Sequence, residues 1–127
     1  STASNIARMS VLVQKMTKNA LDAYLARDAE LAEDIRLRDE EVDQMHSSLF
    51  RELLTYMMED PRSITSCTHL LFISKNVERI GDHMTSIAEQ IIFIVRGKAP
   101  VEERPKDDKA NFTVVEHSPQ TDKDLRD

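Results

Sequence analysis

A stripe of apolar residues runs from Leu70 to Ile94, with gaps that alternate between three and four residues. This spacing places all of them on one face of a helix, because a helix turns by about 100° per residue. The stripe consists of Leu70, Ile73, Val77, Ile80, Met84, Ile87, Ile91 and Ile94. We expect this face to pack against the core of the protein.

Two earlier stretches carry stripes of the same kind. The first predicts a helix from about Ser4 to Ala26, with Thr2 or Ser4 as its N-terminal cap. The second predicts a helix from Asp28 to about Met58. The inward residues are Ile6, Met9, Val13, Met16, Ala20 and Ala23 in the first, and Leu31, Ile35, Val42, Met45, Leu49, Leu53 and Tyr56 in the second.

The connections between these helices are short. Asp28 after Arg27 suits the cap of the second helix, although nothing there forbids a continuous helix. Asp60-Pro61 separates the second helix from the third, because proline fits the first position of a helix but disfavours helical geometry in the residue before it. Gly97 suits the left-handed residue that often ends a helix. Together these signals predict an all-α, antiparallel three-helix bundle over residues 1–97.

Residues 98–127 differ from the rest of the chain. They contain three of the four prolines, mixed charges and few large apolar side chains, which predicts a flexible tail. The segment 112–115 could pair as a short strand or dock on a groove, but a passive tail is the favoured interpretation.

Composition narrows the class of protein. The 127 residues include two glycines and no tryptophan, and the formal net charge is −6. Without a basic cluster, this charge argues against a nucleic-acid surface. No apolar run approaches the roughly 20 residues of a membrane span, and the single Cys67 fits a reducing compartment. We therefore expect a cytoplasmic protein.

Two pairs of acids carry the candidate chemistry. Asp39 and Asp43 lie one turn apart on the second helix, and Glu78 and Asp82 do so on the third. Like charges at this spacing repel, and a hard cation that accepts oxygen ligands would remove the repulsion. Gly81, between the second pair, costs roughly 1 kcal/mol of helix propensity relative to alanine, which close helix approach or a bound ion would explain. On the third helix, the angles place the acids well away from the apolar stripe.

Other interpretations of these residues remain open. Charged residues on a helix are usually just solvated, and a chain with 23 acids produces such pairs by chance. Asp43 and His46 have the carboxylate-x-x-His spacing of di-iron bundles, but His69 and His83 do not supply a matching second set. Cys67 fits a small core residue better than a nucleophile, since no His–acid arrangement surrounds it.

The segment 76–89, with the core sequence Glu-Arg-Ile-Gly-Asp-His at residues 78–83, resembles the signature helix of the PhoU family. Residues 28–43, which end in Arg-Asp-Glu-Glu-Val-Asp, resemble that family's second helix. The resemblance implies a three-helix bundle, normally one of two repeats, with this chain as the C-terminal one. It also implies a metal cluster on the bundle surface, held by the motif of Glu or Asp, three residues, then Asp. That motif falls on Asp39, Asp43, Glu78 and Asp82.

The resemblance implies a regulatory function without catalysis. PhoU proteins couple a phosphate ABC transporter to a sensor histidine kinase and restrain phosphate uptake and the phosphate-starvation response. An iron cluster is favoured, with Mg²⁺, Mn²⁺ or Zn²⁺ as alternatives. We expect a homo-oligomer, such as a homodimer, when the protein is full length, no nucleic acid, and membrane contact only through partners. The alternatives are a metalloenzyme that activates water on a carboxylate-bound metal, and a structural adaptor whose acids are only solvated.

Overall fold

Three long helices make up the part of the chain that the computed structural model describes, which is residues 1–98 and 100. They are α1 (Thr2–Ala26), α2 (Ala29–Glu59) and α3 (Ile64–Arg96), joined by a tight turn and by a short 3₁₀ turn at Pro61–Ser63. No helix within the described part is both long and apolar enough to cross a membrane. The predicted all-α three-helix bundle is confirmed, and nearly all of the predicted tail, including segment 112–115, lies outside the described residues.

The first two helix starts are set by local hydrogen bonds. The Ser1 side chain caps α1 by accepting a bond from the backbone N–H of Ser4 at 3.2 Å, so the prediction of Thr2 or Ser4 as the cap was wrong. Arg27 ends this helix in the left-handed conformation. The predicted break is confirmed, because the Asp28 side chain accepts a bond from the backbone N–H three residues on, at 3.0 Å.

The second connection is longer than predicted. Asp60 is the cap, as expected, but Pro61 begins the 3₁₀ turn and α3 begins only at Ile64. The Asp60 side chain accepts a bond from the backbone N–H of Arg62 at 3.0 Å. At the far end of α3, Gly97 adopts the left-handed conformation that was predicted for it, with φ of 72°.

The stripe of α1 faces the core as predicted, and most of the α2 stripe does too. In α2 the exception is Tyr56, which is exposed because it lies near the end of the helix and turns toward solvent. Its hydroxyl donates to Glu52, one turn earlier, at 3.2 Å. Cys67 is buried in the core and carries a free thiol. The fully buried apolar residues of α1 and α2 are Met9, Met16, Ala23, Ala32, Ile35, Val42, Leu49 and Leu53.

The prediction that the whole apolar stripe of α3 faces the core was wrong. Four of its isoleucines, at every seventh position, are between 43% and 53% exposed. They are Ile73, Ile80, Ile87 and Ile94. The buried residues of α3 are instead Cys67, Ser74, Glu78, Gly81, Thr85, Ala88, Ile91 and Ile92. The helix is therefore rotated about its axis relative to the prediction. The side that faces the core lies between the apolar stripe and the acids.

Small residues explain this rotation. Ser74, Gly81 and Ala88 are buried at intervals of seven residues, so they form a narrow strip along the inner face of α3. The distance between two packed helices depends on the side chains at their contact, and small side chains permit a close approach. The larger residues of the stripe are then displaced to the edge of the contact. Val77 and Met84 still pack against the core from that edge.

Candidate metal centre

The acids singled out in the sequence lie inside the bundle. The side chains of Asp39, Asp43 and Glu78 are fully buried, and that of Asp82 is partly buried. The expectation that the acids of the third helix lie well away from the side that faces the core was wrong. The reason is the rotation of α3, which turns the side that carries Glu78 and Asp82 toward α2.

Three of the four predicted residues come together. Asp39 and Asp43 on α2 and Asp82 on α3 each place a carboxylate oxygen within 4.8 Å of the other two. At that separation, and with an effective dielectric constant of about 20, each ionised pair costs on the order of 3 kcal/mol. Positive charge from a cation or a proton relieves this cost. We refer to these three residues below as the carboxylate trio.

The dimensions of the carboxylate trio fit one metal ion. Mg²⁺ and Ca²⁺ bind oxygen at about 2.1 and 2.4 Å, so ligands on opposite sides of such an ion lie about 4.2 to 4.8 Å apart. The three oxygens lie within that upper limit before any adjustment. A donor set made only of carboxylate oxygen suits hard cations such as Mg²⁺, Ca²⁺ and Mn²⁺.

Gly81 makes room for the carboxylate trio. A Cβ atom added at this glycine would lie 2.7 Å from Oδ1 of Asp39, which is closer than real Cβ contacts come. Its φ is negative, so the glycine serves here for space rather than for an unusual backbone conformation. The side chain of Asp39 thus occupies the volume that any larger residue at position 81 would fill. This accounts for a glycine in the middle of a 33-residue helix.

Glu78, the fourth predicted residue, is held separately from the carboxylate trio. Its Oε1 accepts a hydrogen bond from Nζ of Lys75, on the preceding turn of α3, at 2.8 Å. Its Oε2 is buried and has no hydrogen-bond partner among the described residues. Lys75 was not among the predicted site residues, although its position three residues before Glu78 is a recognised spacing for helical ion pairs.

A second polar contact lies one turn from the acids. Nδ1 of His46 on α2 lies 2.7 Å from Oγ of Ser74 on α3, and both side chains are buried. The Ser74 hydroxyl donates to Sδ of Met9 on α1, at 3.7 Å. The carboxylate trio itself contains no histidine, so the di-iron pattern gains no support from the described residues.

The fold and the site together define a class: a three-helix bundle in which carboxylates from the second and third helices converge in the interior. The model of the PhoU domain matches residues 6–91 of the chain, which is well over half of it. The chain therefore belongs to the PhoU family, as the sequence motifs indicated.

Relatives and a solved structure agree with this assignment. The chain is 57% identical over 106 residues to the phosphate-specific transport system accessory protein PhoU homolog of Rhizobium meliloti, covering 84% of this chain and 45% of the relative. It is 55% identical to the Caulobacter vibrioides homolog, covering 80% and 44%. The crystal structure of PhoU from Pseudomonas aeruginosa superimposes with a TM-score of 0.70 at 43% identity, covering 72% and 44%. The chain thus spans less than half the length of these proteins.

Proposed function

We propose that this chain is a metal-binding regulatory module of phosphate homeostasis. In this proposal the full-length protein links a phosphate ABC transporter to its sensor histidine kinase and restrains phosphate uptake and the starvation response. Relatives with more than half of their aligned residues identical are named accessory proteins of phosphate-specific transport, which supports the regulatory part. The single observation that carries the metal part is the carboxylate trio, with oxygens from two helices within 4.8 Å of one another.

The carboxylate trio would hold the ion between α2 and α3. Asp39 and Asp43 supply ligands from α2, and Asp82 supplies one from α3. An ion bound there would neutralise their repulsion and tie the two helices together, so that metal occupancy would set the rigidity of the bundle. The ion is a hard cation, with iron favoured by the family resemblance and Mn²⁺ or Mg²⁺ by the all-oxygen donors.

Replacing one member of the carboxylate trio tests the metal part. Asp82→Asn should weaken binding by about tenfold or more, because a neutral amide is a poorer ligand for a hard cation. It should leave the metal-free protein equally stable or slightly more stable, since it removes a like charge. The control is Glu89→Gln, which makes the same chemical change seven residues further along α3, outside the carboxylate trio.

Calorimetric melting with and without Mn²⁺, Mg²⁺ or Fe³⁺ is the measurement. An ion at 100 times its Kd stabilises the folded state by about 2.7 kcal/mol, which raises the Tm of a domain of this size by roughly 10–20 °C. Wild type and Glu89→Gln should both show the rise, and Asp82→Asn should show much less. Equal shifts in all three proteins would remove Asp82 from the site, and no shift in any of them would contradict the metal part of the proposal.

The regulatory part needs the full-length protein in its host. A strain that lacks the gene should express a phosphate-starvation reporter even in phosphate-rich medium, and the wild-type gene should restore repression. The Asp82→Asn gene should restore it poorly at an equal protein level. A reporter that ignores deletion of the gene would contradict the regulatory role, whereas full repression by Asp82→Asn would separate regulation from metal binding.

A further inference from the structure

We propose that Lys75 is an internal cation that neutralises the buried acids of the metal-free protein and competes with the metal ion for Glu78. This inference rests on the proposed metal site and adds to it a residue that sets its affinity. In the metal-free state, Glu78 binds the ammonium group of Lys75. In the metal-bound state, Lys75 turns outward and Glu78 is free to face the ion.

The contact between Lys75 and Glu78 is short, and the two side chains differ in how deeply they are buried. Nζ of Lys75 lies 2.8 Å from Oε1 of Glu78, whose side chain is 0% exposed, whereas the side chain of Lys75 is 37% exposed. A buried carboxylate is costly unless it is paired, so Glu78 depends on this ammonium group in the absence of another cation. Lys75, by contrast, already reaches the surface and carries a flexible stem that can place its charge in water.

The location of Glu78 connects this ion pair to the carboxylate trio. Glu78 lies one turn before Asp82 on α3, and Cβ atoms at this spacing are about 6 Å apart. Its Oε2 is buried with no hydrogen-bond partner among the described residues, although Oε1 is engaged with Lys75. Oε2 is therefore available to a ligand, while Oε1 holds the ammonium group of Lys75 close to the carboxylate trio.

Metal binding should weaken the ion pair between Lys75 and Glu78 for electrostatic reasons. A divalent ion at the carboxylate trio repels the nearby ammonium group, and it offers Glu78 a stronger positive charge. The lowest-cost response is rotation of the Lys75 side chain into solvent, because it is already 37% exposed whereas Glu78 is fully buried. Lys75 would thus make the site selective for cations strong enough to displace it, and it would keep the metal-free bundle folded.

The experiment compares Lys75→Met with a matched control, Arg79→Met. Arg79 lies one turn further along α3 and is exposed, so its removal changes the net charge equally without touching the buried acids. Mn²⁺ is titrated calorimetrically into the wild-type chain and both variants, and their melting is recorded without metal. Lys75→Met should bind Mn²⁺ about tenfold more tightly, the scale at which residues around the ligands affect metal affinity. Arg79→Met should change the affinity by less than about twofold.

The same variants separate this inference from the proposed function. The metal-free Tm should fall in Lys75→Met and stay nearly constant in Arg79→Met. In a Glu78→Gln background, the effect of Lys75→Met on affinity should largely disappear, because Lys75 acts through Glu78. If metal-free Lys75→Met does not fold, Lys75→Gln replaces it, since its amide can still donate a hydrogen bond to Glu78 without the charge.

Each outcome has a definite meaning. Tighter binding by Lys75→Met alone, lost in the Glu78→Gln background, supports the competition. An affinity equal to that of Arg79→Met overturns it while leaving the metal site intact, and weaker binding shows that Lys75 organises the site instead of opposing it. No binding by wild type or any variant overturns the proposed metal site and the competition with it.

Discussion

The two sides of α3 invert the usual association between apolar character and burial. Over the central turns of the helix the inner face is small and polar, with Ser74, Glu78 and Gly81 buried against the rest of the bundle. Its outer edge carries the four isoleucines that recur at every seventh position, and one of them, Ile80, is 46% exposed. A helix can therefore give its most closely packed face to a polar site. The regular spacing of large apolar residues shows that a helix packs, but not which direction faces the core.

The largest expected effect contrasts one substitution on the two sides. Ala88→Asp places an unpaired charge at a position with 0% exposure, and should destabilise the bundle by about 4 kcal/mol or more, enough to unfold it. Ile80→Asp should cost only about 1–2 kcal/mol, because the new carboxylate reaches water from the exposed edge. Circular dichroism during urea unfolding measures both. An unfolded Ile80→Asp beside a folded Ala88→Asp would reverse the assignment of the two faces.

Local features of the fold were predictable from sequence, and the orientation of α3 was not. Asp28 and Gly97 act through bonds within a few residues, so their types and positions were enough to predict a cap and a helix end. The rotation of α3 depends on how closely α2 approaches, which is a property of both helices together. Small residues at 74, 81 and 88 were visible in the sequence, but the longer apolar stripe masked their meaning.

The candidate site was predictable in its residues but not in its burial. The family motif identified all four acids as metal ligands. The spacing of the acids alone favoured solvated surface residues over a metal site. The burial of Glu78 could not be expected without its partner, since a buried charge without a counter-ion is strongly unfavourable. Lys75 provides that counter-ion, and its spacing from Glu78 is local. The convergence of Asp39, Asp43 and Asp82 needs the register between α2 and α3, which only the folded chain supplies.

A smaller effect is expected for the buried hydroxyl on the inner face. Ser74→Ala removes the hydroxyl that pairs with the buried Nδ1 of His46 and should cost about 1–3 kcal/mol. Ser86→Ala, at an exposed position on the same helix, should change stability by no more than about 0.5 kcal/mol. Urea unfolding of both variants gives the difference. Equal stabilities would mean that the contact between His46 and Ser74 contributes nothing measurable.

Gly81→Ala should separate the requirements of the site from those of the fold. Alanine gains roughly 1 kcal/mol of helix propensity, but its Cβ must displace the carboxylate of Asp39, so the net change in stability should be small. Binding of Mn²⁺ should weaken by about tenfold, because a ligand has moved. Ser86→Ala provides the control, since it also raises helix propensity but leaves metal affinity unchanged. Unaltered affinity in Gly81→Ala would show that Asp39 adjusts freely or does not bind the ion.

The smallest effect on stability is expected in the turn that leads into α3, outside both faces of that helix. It gives a reference value against which the effects on the two faces can be compared. Side-chain hydrogen bonds from Arg62, and then its backbone N–H, hold the pKa of the Asp60 carboxyl below its ordinary value. A carboxyl whose pKa is lower in the folded than in the unfolded state stabilises the fold above the unfolded pKa. That contribution is lost as the pH falls through the folded pKa.

Arg62→Ala should therefore raise the pKa of Asp60 toward its ordinary value, because it removes the side-chain donors and leaves the backbone N–H in place. Titration of the Asp60 carboxyl carbon by NMR measures the shift directly. Stability between neutral pH and the unfolded pKa should fall only slightly, since both groups are well exposed and solvent screens their attraction. An unchanged pKa in Arg62→Ala would assign the depression to the backbone N–H alone. A loss of stability as large as that of Ser74→Ala would mean that this turn, and not only the inner face of α3, determines the stability of the bundle.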